Sequence, residues 1–136
     1  MKRSWLKRKS KSPQKKIESE LWKHCRRIVK KQSKDEFREI DCYTCPAKGL
    51  QGANCQLGHV PWPKSTLGAF LKYDLRVLKF QCFRCNINKG GMGAVAYERM
   101  EREMGKKAFN KLKKDKQVSV KASDHYQQLL SKYKEL

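Results

Sequence analysis

Acidic residues are scarce in this chain, and nowhere does it hold a long apolar run. Thirteen Asp and Glu stand against 33 Lys and Arg, leaving a formal charge of +20. That balance argues against an ordinary enzyme of small neutral substrates. A chain so charged repels itself and attracts polyanions, which makes nucleic acid the expected partner. No apolar stretch approaches the roughly 20 residues needed to span a bilayer, so no membrane association is expected. The stretch Met1-Lys2-Arg3-Ser4-Trp5-Leu6-Lys7-Arg8-Lys9 is basic but lacks the apolar core of a signal peptide. A cytoplasmic, reducing location is the expectation, and there six cysteines point to metal rather than disulfides. At 136 residues the chain has room for one domain with tails.

Four of the cysteines fall into two pairs, Cys42-Tyr43-Thr44-Cys45 and Cys82-Phe83-Arg84-Cys85. A Cys-x-x-Cys turn points both sulfurs the same way. Two such turns make a four-thiolate site for structural zinc. The 36 residues between Cys45 and Cys82 exceed what a simple ribbon needs, so the spacer must hold more than a turn. A small domain often relies on such a metal, and the fold is expected to depend on it.

Along the chain, residues 1–12 read as a mobile basic arm, because Trp5 and Leu6 alone cannot offset the entropy of ordering it. The arm either touches phosphates or serves as a solubilising tail. Ser12-Pro13 opens a helix of about 17 residues, with Ile17, Leu21, Cys25, Ile28 and Val29 at helical spacing and a basic opposite face. Cys25 lies on the apolar stripe and is read as a core thiol; His24 has no assigned role. Asn54 to Val60 reads as a short strand broken by Pro61-Trp62-Pro63, and Tyr73 to Phe80 as a half-buried strand or extended run. A helix follows Gly93, with Val95, Ala96, Met100 and Met104 inward, and Gly105 ends it. A second short helix starts at Ala108. Residues 13–114 thus form the body, and 115–136 a linker and an amphipathic helix capped by Ser123. Its stripe of Tyr126, Leu129, Leu130 and Tyr133 could dock on the body or on a second copy, as a homodimer.

The order of Leu21-Trp22, Cys42-x-x-Cys45, Gly58-His59, Gln81-Cys82-x-x-Cys85-Asn86, Lys89-Gly90, Tyr97 and Gly105 resembles the lambda NinG (Rap) family of phage recombination proteins, over residues 16 to about 112. It is similar to a nuclease finger of the HNH, or His-Me, type. The resemblance implies a small α+β fold, a treble-clef/ββα-metal finger stabilised by zinc on Cys42, Cys45, Cys82 and Cys85 and flanked by helices. It further implies metal-dependent, structure-selective cleavage of branched DNA such as Holliday junctions and flaps, phage recombination proteins as partners, and a bacterial host cytoplasm.

Phosphodiester hydrolysis needs a base for water and a cation for the developing charge. His59 suits the first task by its ordinary pKa. It could instead be structural, or pair with Cys55 as a zinc ligand; if the four knuckle cysteines complete the tetrahedron, Cys55 only packs. Asn86 follows the last zinc ligand and could hold Mg2+ or Mn2+ with His59, or merely cap the helix the knuckle opens. Asn88 is a weaker second candidate. Lys64, Lys72, Arg76, Lys79, Arg84 and Lys89 surround the motif and could seat a phosphate backbone. Three features depart from the usual pattern: Gly58 stands where many such sites have Asp, Val77 where Asn is common, with Asp74 nearby as a possible substitute, and Pro61-Trp62-Pro63-Lys64 replaces the basic residue the family places shortly after Gly-His. Activity could therefore be weak or lost. The alternative function is a non-catalytic, zinc-dependent nucleic-acid-binding accessory protein.

Overall fold

The computed structural model describes residues 12–136; the expected basic arm lies outside the described residues but for Ser12. Helix α1, Pro13–Gln32, starts where Ser12 Oγ accepts a hydrogen bond from the Lys15 amide and Pro13 occupies the first turn. It buries the anticipated Leu21, Cys25, Ile28 and Val29. The chain then runs through the first cysteine pair to strand β1, Gln56–His59. A short helix α2, Ala69–Lys72, and a single 3-10 turn, Leu75–Val77, precede strand β2, Leu78–Gln81. The π-helical turn Arg84–Asn88 carries the second cysteine pair onward to α3, Gly93–Met104, α4, Lys106–Asp115, and α5, Ala122–Lys134. This is a small α+β protein.

β1 and β2 pair antiparallel, with Gln56 opposite Gln81, Gly58 opposite Lys79 and His59 opposite Leu78. Two strands alone are marginal in water. The pair is held by helices: Arg26 of α1 lies over the Phe80 ring and donates to the Cys55 carbonyl. One apolar cluster joins α1, the sheet, the cysteines and Tyr126 and Tyr133 of α5. A second gathers Val60, Leu71, Val77, Ala96, Met100, Phe109 and Leu112. In the second, Trp62 stacks on Phe109 at 6.0 Å and Tyr97 meets the same ring edge-on at 4.7 Å. Gly93 permits this packing, because a Cβ there would sit 2.8 Å from the Pro61 carbonyl oxygen.

The structure amends several expectations. α5 docks on the body: Tyr133 Oη donates to the Tyr73 carbonyl at 2.7 Å, and Arg27 donates to the Tyr133 carbonyl at 3.0 Å. Ser123 lies inside α5 and does not cap it. Val95 is 41% exposed rather than inward, since Ala96 and Met100 already fill the face that meets the second cluster. The run Tyr73 to Phe80 is strand only in its last part, because Asp74 turns the chain by accepting from the Arg76 amide. Among the described residues no helix is long and apolar enough to cross a membrane.

Candidate metal centre and adjoining cleft

The two knuckles meet. The sulfurs of Cys42, Cys45, Cys82 and Cys85 all lie within 4.8 Å of one another, and those of Cys45 and Cys82 are 3.6 Å apart. A tetrahedral zinc with bonds of about 2.3 Å needs sulfurs roughly 3.8 Å apart. The residues therefore fit, and these four could hold a metal such as zinc. Supporting donors are in place: the Cys82 amide points at Cys42 Sγ at 3.3 Å, and Thr44 Oγ1 lies 3.7 Å from it. Burial works to raise the Cys42 thiol, but these donors and neighbouring backbone amides outweigh it and bring it down to about 6. Burial pushes Cys85 up to about 12. A bound dication would ionise all four.

Cys25 and Cys55 stand apart from this group. Cys25 is fully buried on α1, with its thiol 3.6 Å from the Tyr73 carbonyl, and burial pushes its pKa up to about 12. Cys55 is buried among apolar neighbours. Both act as packing residues. His24 Nδ1 accepts from Arg27 at 3.1 Å on the surface of α1. An acidic group, Asp35, Glu39 and Asp41, clusters on the loop between α1 and the first cysteine pair, where Asp35 already caps the Phe37 and Glu39 amides.

Beside the cysteines a cleft of about 850 Å³ opens, and both His59 and Asn86 line it. His59 closes β1. Its ring stacks on Trp22 of α1 at 5.5 Å and 15°, and Nε2 lies 2.8 Å from the Lys72 carbonyl oxygen. A carbonyl only accepts, so Nε2 carries the proton and Nδ1 the lone pair. Burial holds the imidazole below its ordinary pKa; the Lys72 carbonyl opposes this, while the Lys64 and Lys72 charges reinforce it. The ring is therefore neutral and basic at neutral pH.

Asn86 caps no helix end. Its Nδ2 donates to Gln56 Oε1 at 2.8 Å, which turns Oδ1 toward Gly58. Asn86 is part-buried, and its amide oxygen is a hard donor of the kind Mg2+ and Mn2+ take. Gly58 is a glycine because of this approach: a Cβ there would sit 2.5 Å from Asn86 Oδ1 and 2.8 Å from Gln81 Oε1.

The basic residues divide. Lys64 and Lys72 line the cleft, joined by Lys15 and Lys23 of α1. Lys72 is paired with Glu18 at 2.7 Å, and Tyr73 donates to the same carboxylate at 2.9 Å. Although burial works against it, these bonds hold the Glu18 carboxyl below its usual range. Arg76 is committed to Asp74 and Asp115, at 2.8 and 3.0 Å, which also removes Asp74 as a cation ligand. Lys79 lies over the Tyr43 ring, where burial lowers its pKa. Arg84, Asn88 and Lys89 are exposed on the turn after Cys82, off the cleft wall. Sequence reasoning assigned no role to Gln81, Gln56 or Glu18. The available signal was a glutamine in a strand end otherwise fit for burial: Gln81 is 0% exposed.

Comparison with protein families, with curated proteins and with solved structures finds no match for the chain.

Proposed function

We propose that this protein is a zinc-organised, divalent-metal-dependent endonuclease of branched DNA, with the treble-clef/ββα-metal arrangement of the HNH type that its sequence resembles. The observation that carries the reading is the convergence of His59 and Asn86 on one lysine-walled cleft. Cys42, Cys45, Cys82 and Cys85 hold zinc and fix the turn from which Asn86 projects. His59, oriented by Trp22 and the Lys72 carbonyl, takes the proton of the attacking water on Nδ1. Lys15, Lys23 and Lys64 draw the phosphate backbone into the cleft. Asn86 would hold Mg2+ or Mn2+, which when bound supplies stabilisation of the pentacovalent phosphorus and the leaving oxygen.

The decisive measurement is nicking of matched linear, flapped and four-way DNA with and without Mg2+. His59→Ala should lower cleavage by about 10²–10⁴-fold while leaving binding intact. Wild-type protein inert on every branched substrate with both Mg2+ and Mn2+ would sink the nuclease reading.

A second reading is supported by the poverty of carboxylates. Among the described residues, Glu18 is the one carboxylate on the cleft wall, and it is engaged by Lys72 and Tyr73. A non-catalytic nucleic-acid-binding protein would need none. It binds without cleaving, and the logarithm of its duplex affinity falls with log salt at a slope of about −0.9 per phosphate neutralised.

A further inference from the structure

The neighbouring helices α3 and α4 differ in the sign of the charge they carry. α3 holds Glu98, Arg99, Glu101, Arg102 and Glu103, and Arg99 pairs with Glu103 one turn on at 2.7 Å. α4 has a single acid, Asp115, which is buried and held by Arg76 at 3.0 Å. What α4 leaves in solvent is Lys106, Lys107, Asn110, Lys111 and Lys114, with Gln117 just beyond its end. At about 3.6 residues per turn these six positions fall within less than half of the helix circumference. They line two grooves, one of about 800 Å³ and one of about 350 Å³, and among the described residues no carboxylate lines either. Lys106, Lys107 and Lys114 make no side-chain hydrogen bond or ion pair among the described residues. Lys111 reaches Asp115 only at 3.7 Å, with its own side chain 74% exposed.

A solvated helix face is stabilised by opposite charges three or four residues apart and destabilised by like ones. Lys107, Lys111 and Lys114 stand at that spacing with no acid among them. A polyanion laid along the face relieves all three. Its chemistry follows from what the face lacks. A helix that lies on a membrane must insert apolar side chains, but Phe109 and Leu112 of α4 are fully buried in the second cluster. A protein partner needs an aromatic or apolar anchor at the centre of the contact, and none of the six residues is one. A nucleic-acid backbone needs neither. From Lys107 to Lys114 the helix rises about 10 Å, the axial length of about three phosphates on one DNA strand.

This face and the His59 cleft share no lining residue. They are joined through Trp62-Pro63-Lys64. Pro63 and Lys64 line the cleft, while Trp62 stacks on Phe109 of α4 and has the Lys116 ammonium over it at 4.3 Å. Lys113 lies against the rings of Tyr97 and Phe109. Positive charge therefore continues from the cleft to α4 across the aromatic stack. We propose that the exposed face of α4 is a second nucleic-acid surface, where Lys107, Lys111 and Lys114 hold the backbone of one duplex arm while the cleft holds another. The inference deepens the reading of the cleft and rests on it for the choice of branched DNA. Two surfaces on one small body favour molecules whose arms leave a common point, because a single short duplex fills only one of them.

The test is binding of labelled DNA to the zinc-loaded full chain without added Mg2+, by fluorescence anisotropy across a range of salt. A four-way junction is compared with one of its arms as a linear duplex. Lys107→Gln, Lys111→Gln and Lys114→Gln combined should weaken four-way binding about tenfold or more and flatten its log–log salt slope by about 2–3, while the single arm changes by no more than about twofold. Each substitution alone should take about one third of the change in slope, which keeps the test open should the triple variant not fold. Lys107→Arg, Lys111→Arg and Lys114→Arg together should bind as wild type does. Lys31→Gln, Lys48→Gln and Lys132→Gln, exposed lysines elsewhere, remove the same net charge and should leave the preference for four-way DNA at its wild-type size. Four-way binding unchanged by the α4 substitutions, an equal loss on the single arm, or an equal loss of preference in the control variant would overturn the proposal. So would a loss confined to anionic phosphatidylserine vesicles, which would make the face a lipid surface. Four-way binding that depends on α4 without any cleavage in Mg2+ keeps the surface and removes the nuclease. Cleavage and tight four-way binding that survive the α4 substitutions keep the nuclease and remove the surface.

Discussion

Cys82 follows Gln81 at one end of the β1–β2 pair and His59 faces Leu78 at the other, yet the cysteine centre and the His59 cleft are specified in different ways. In the centre, chemistry resides in the ligands themselves: four thiols with sulfurs within 4.8 Å need only be brought together to bind. In the cleft, each group gets its property from a neighbour. His59 stays neutral at neutral pH because burial against Trp22 and the surrounding walls disfavours the imidazolium, and the Lys72 carbonyl fixes its tautomer. Asn86 presents oxygen rather than nitrogen because Gln56 holds the other end. Gly58 contributes space.

The sharpest way to break this comparison is to remove the metal. Chelation of a bound zinc, or Cys82→Ser, should abolish cooperative folding of the region around α1 and the sheet, since structural zinc contributes on the order of 10 kcal/mol in small zinc peptides. Metal analysis should find one zinc per chain before treatment, and near-UV circular dichroism should be lost with it. An apo protein that keeps the dispersed resonances of Trp22 and His59 would show that the cleft stands without the centre.

A smaller effect tests the dependence of the cleft on its walls. Burial lowers the His59 pKa, so the neutral base persists to lower pH than in a free imidazole, and the acidic limb of the pH–rate profile should have its midpoint below about 6.5. Trp22→Ala opens one face of the ring to water. The imidazolium is then less penalised, its pKa rises, and the limb moves to higher pH. A limb that stays in place would remove Trp22 as the source of the shift.

The least expected change concerns α5, which braces the cleft from behind. Tyr133→Phe deletes the hydrogen bond to the Tyr73 carbonyl, which keeps only the weak Cys25 thiol donor, and the loss should cost about 1 kcal/mol. Urea denaturation should show that loss with little change in slope. No loss would mean that the Arg27 contact and the Tyr126–Tyr73 ring contact at 5.1 Å suffice to seat the helix.

Helix α1 was legible residue by residue, because Ser12-Pro13 supplies a start and the apolar spacing a single face. The four clustered cysteines were legible for a related reason: two Cys-x-x-Cys pairs have few uses other than holding a metal. The bridging segment resisted reading. α2 and the Leu75–Val77 turn lie in a stretch whose uneven alternation fits a strand as well as a helical turn, and only packing of Leu71 and Val77 into the second cluster decides between them. Val95 was misjudged because one residue of rotation about a helix axis separates an inward face from an outward one.

Composition and spacing by themselves determined a strongly basic chain, a long first helix and a four-cysteine centre, since charge, helical period and ligand identity are local properties. Only the tertiary structure decided that Arg76 turns to Asp115, that α5 folds back onto α1, and that Gln81 and Asn86 face one another over Gly58. Those are relations between residues distant in the chain. They arise because buried polar groups must find partners, and which partners they find depends on what the fold brings within reach.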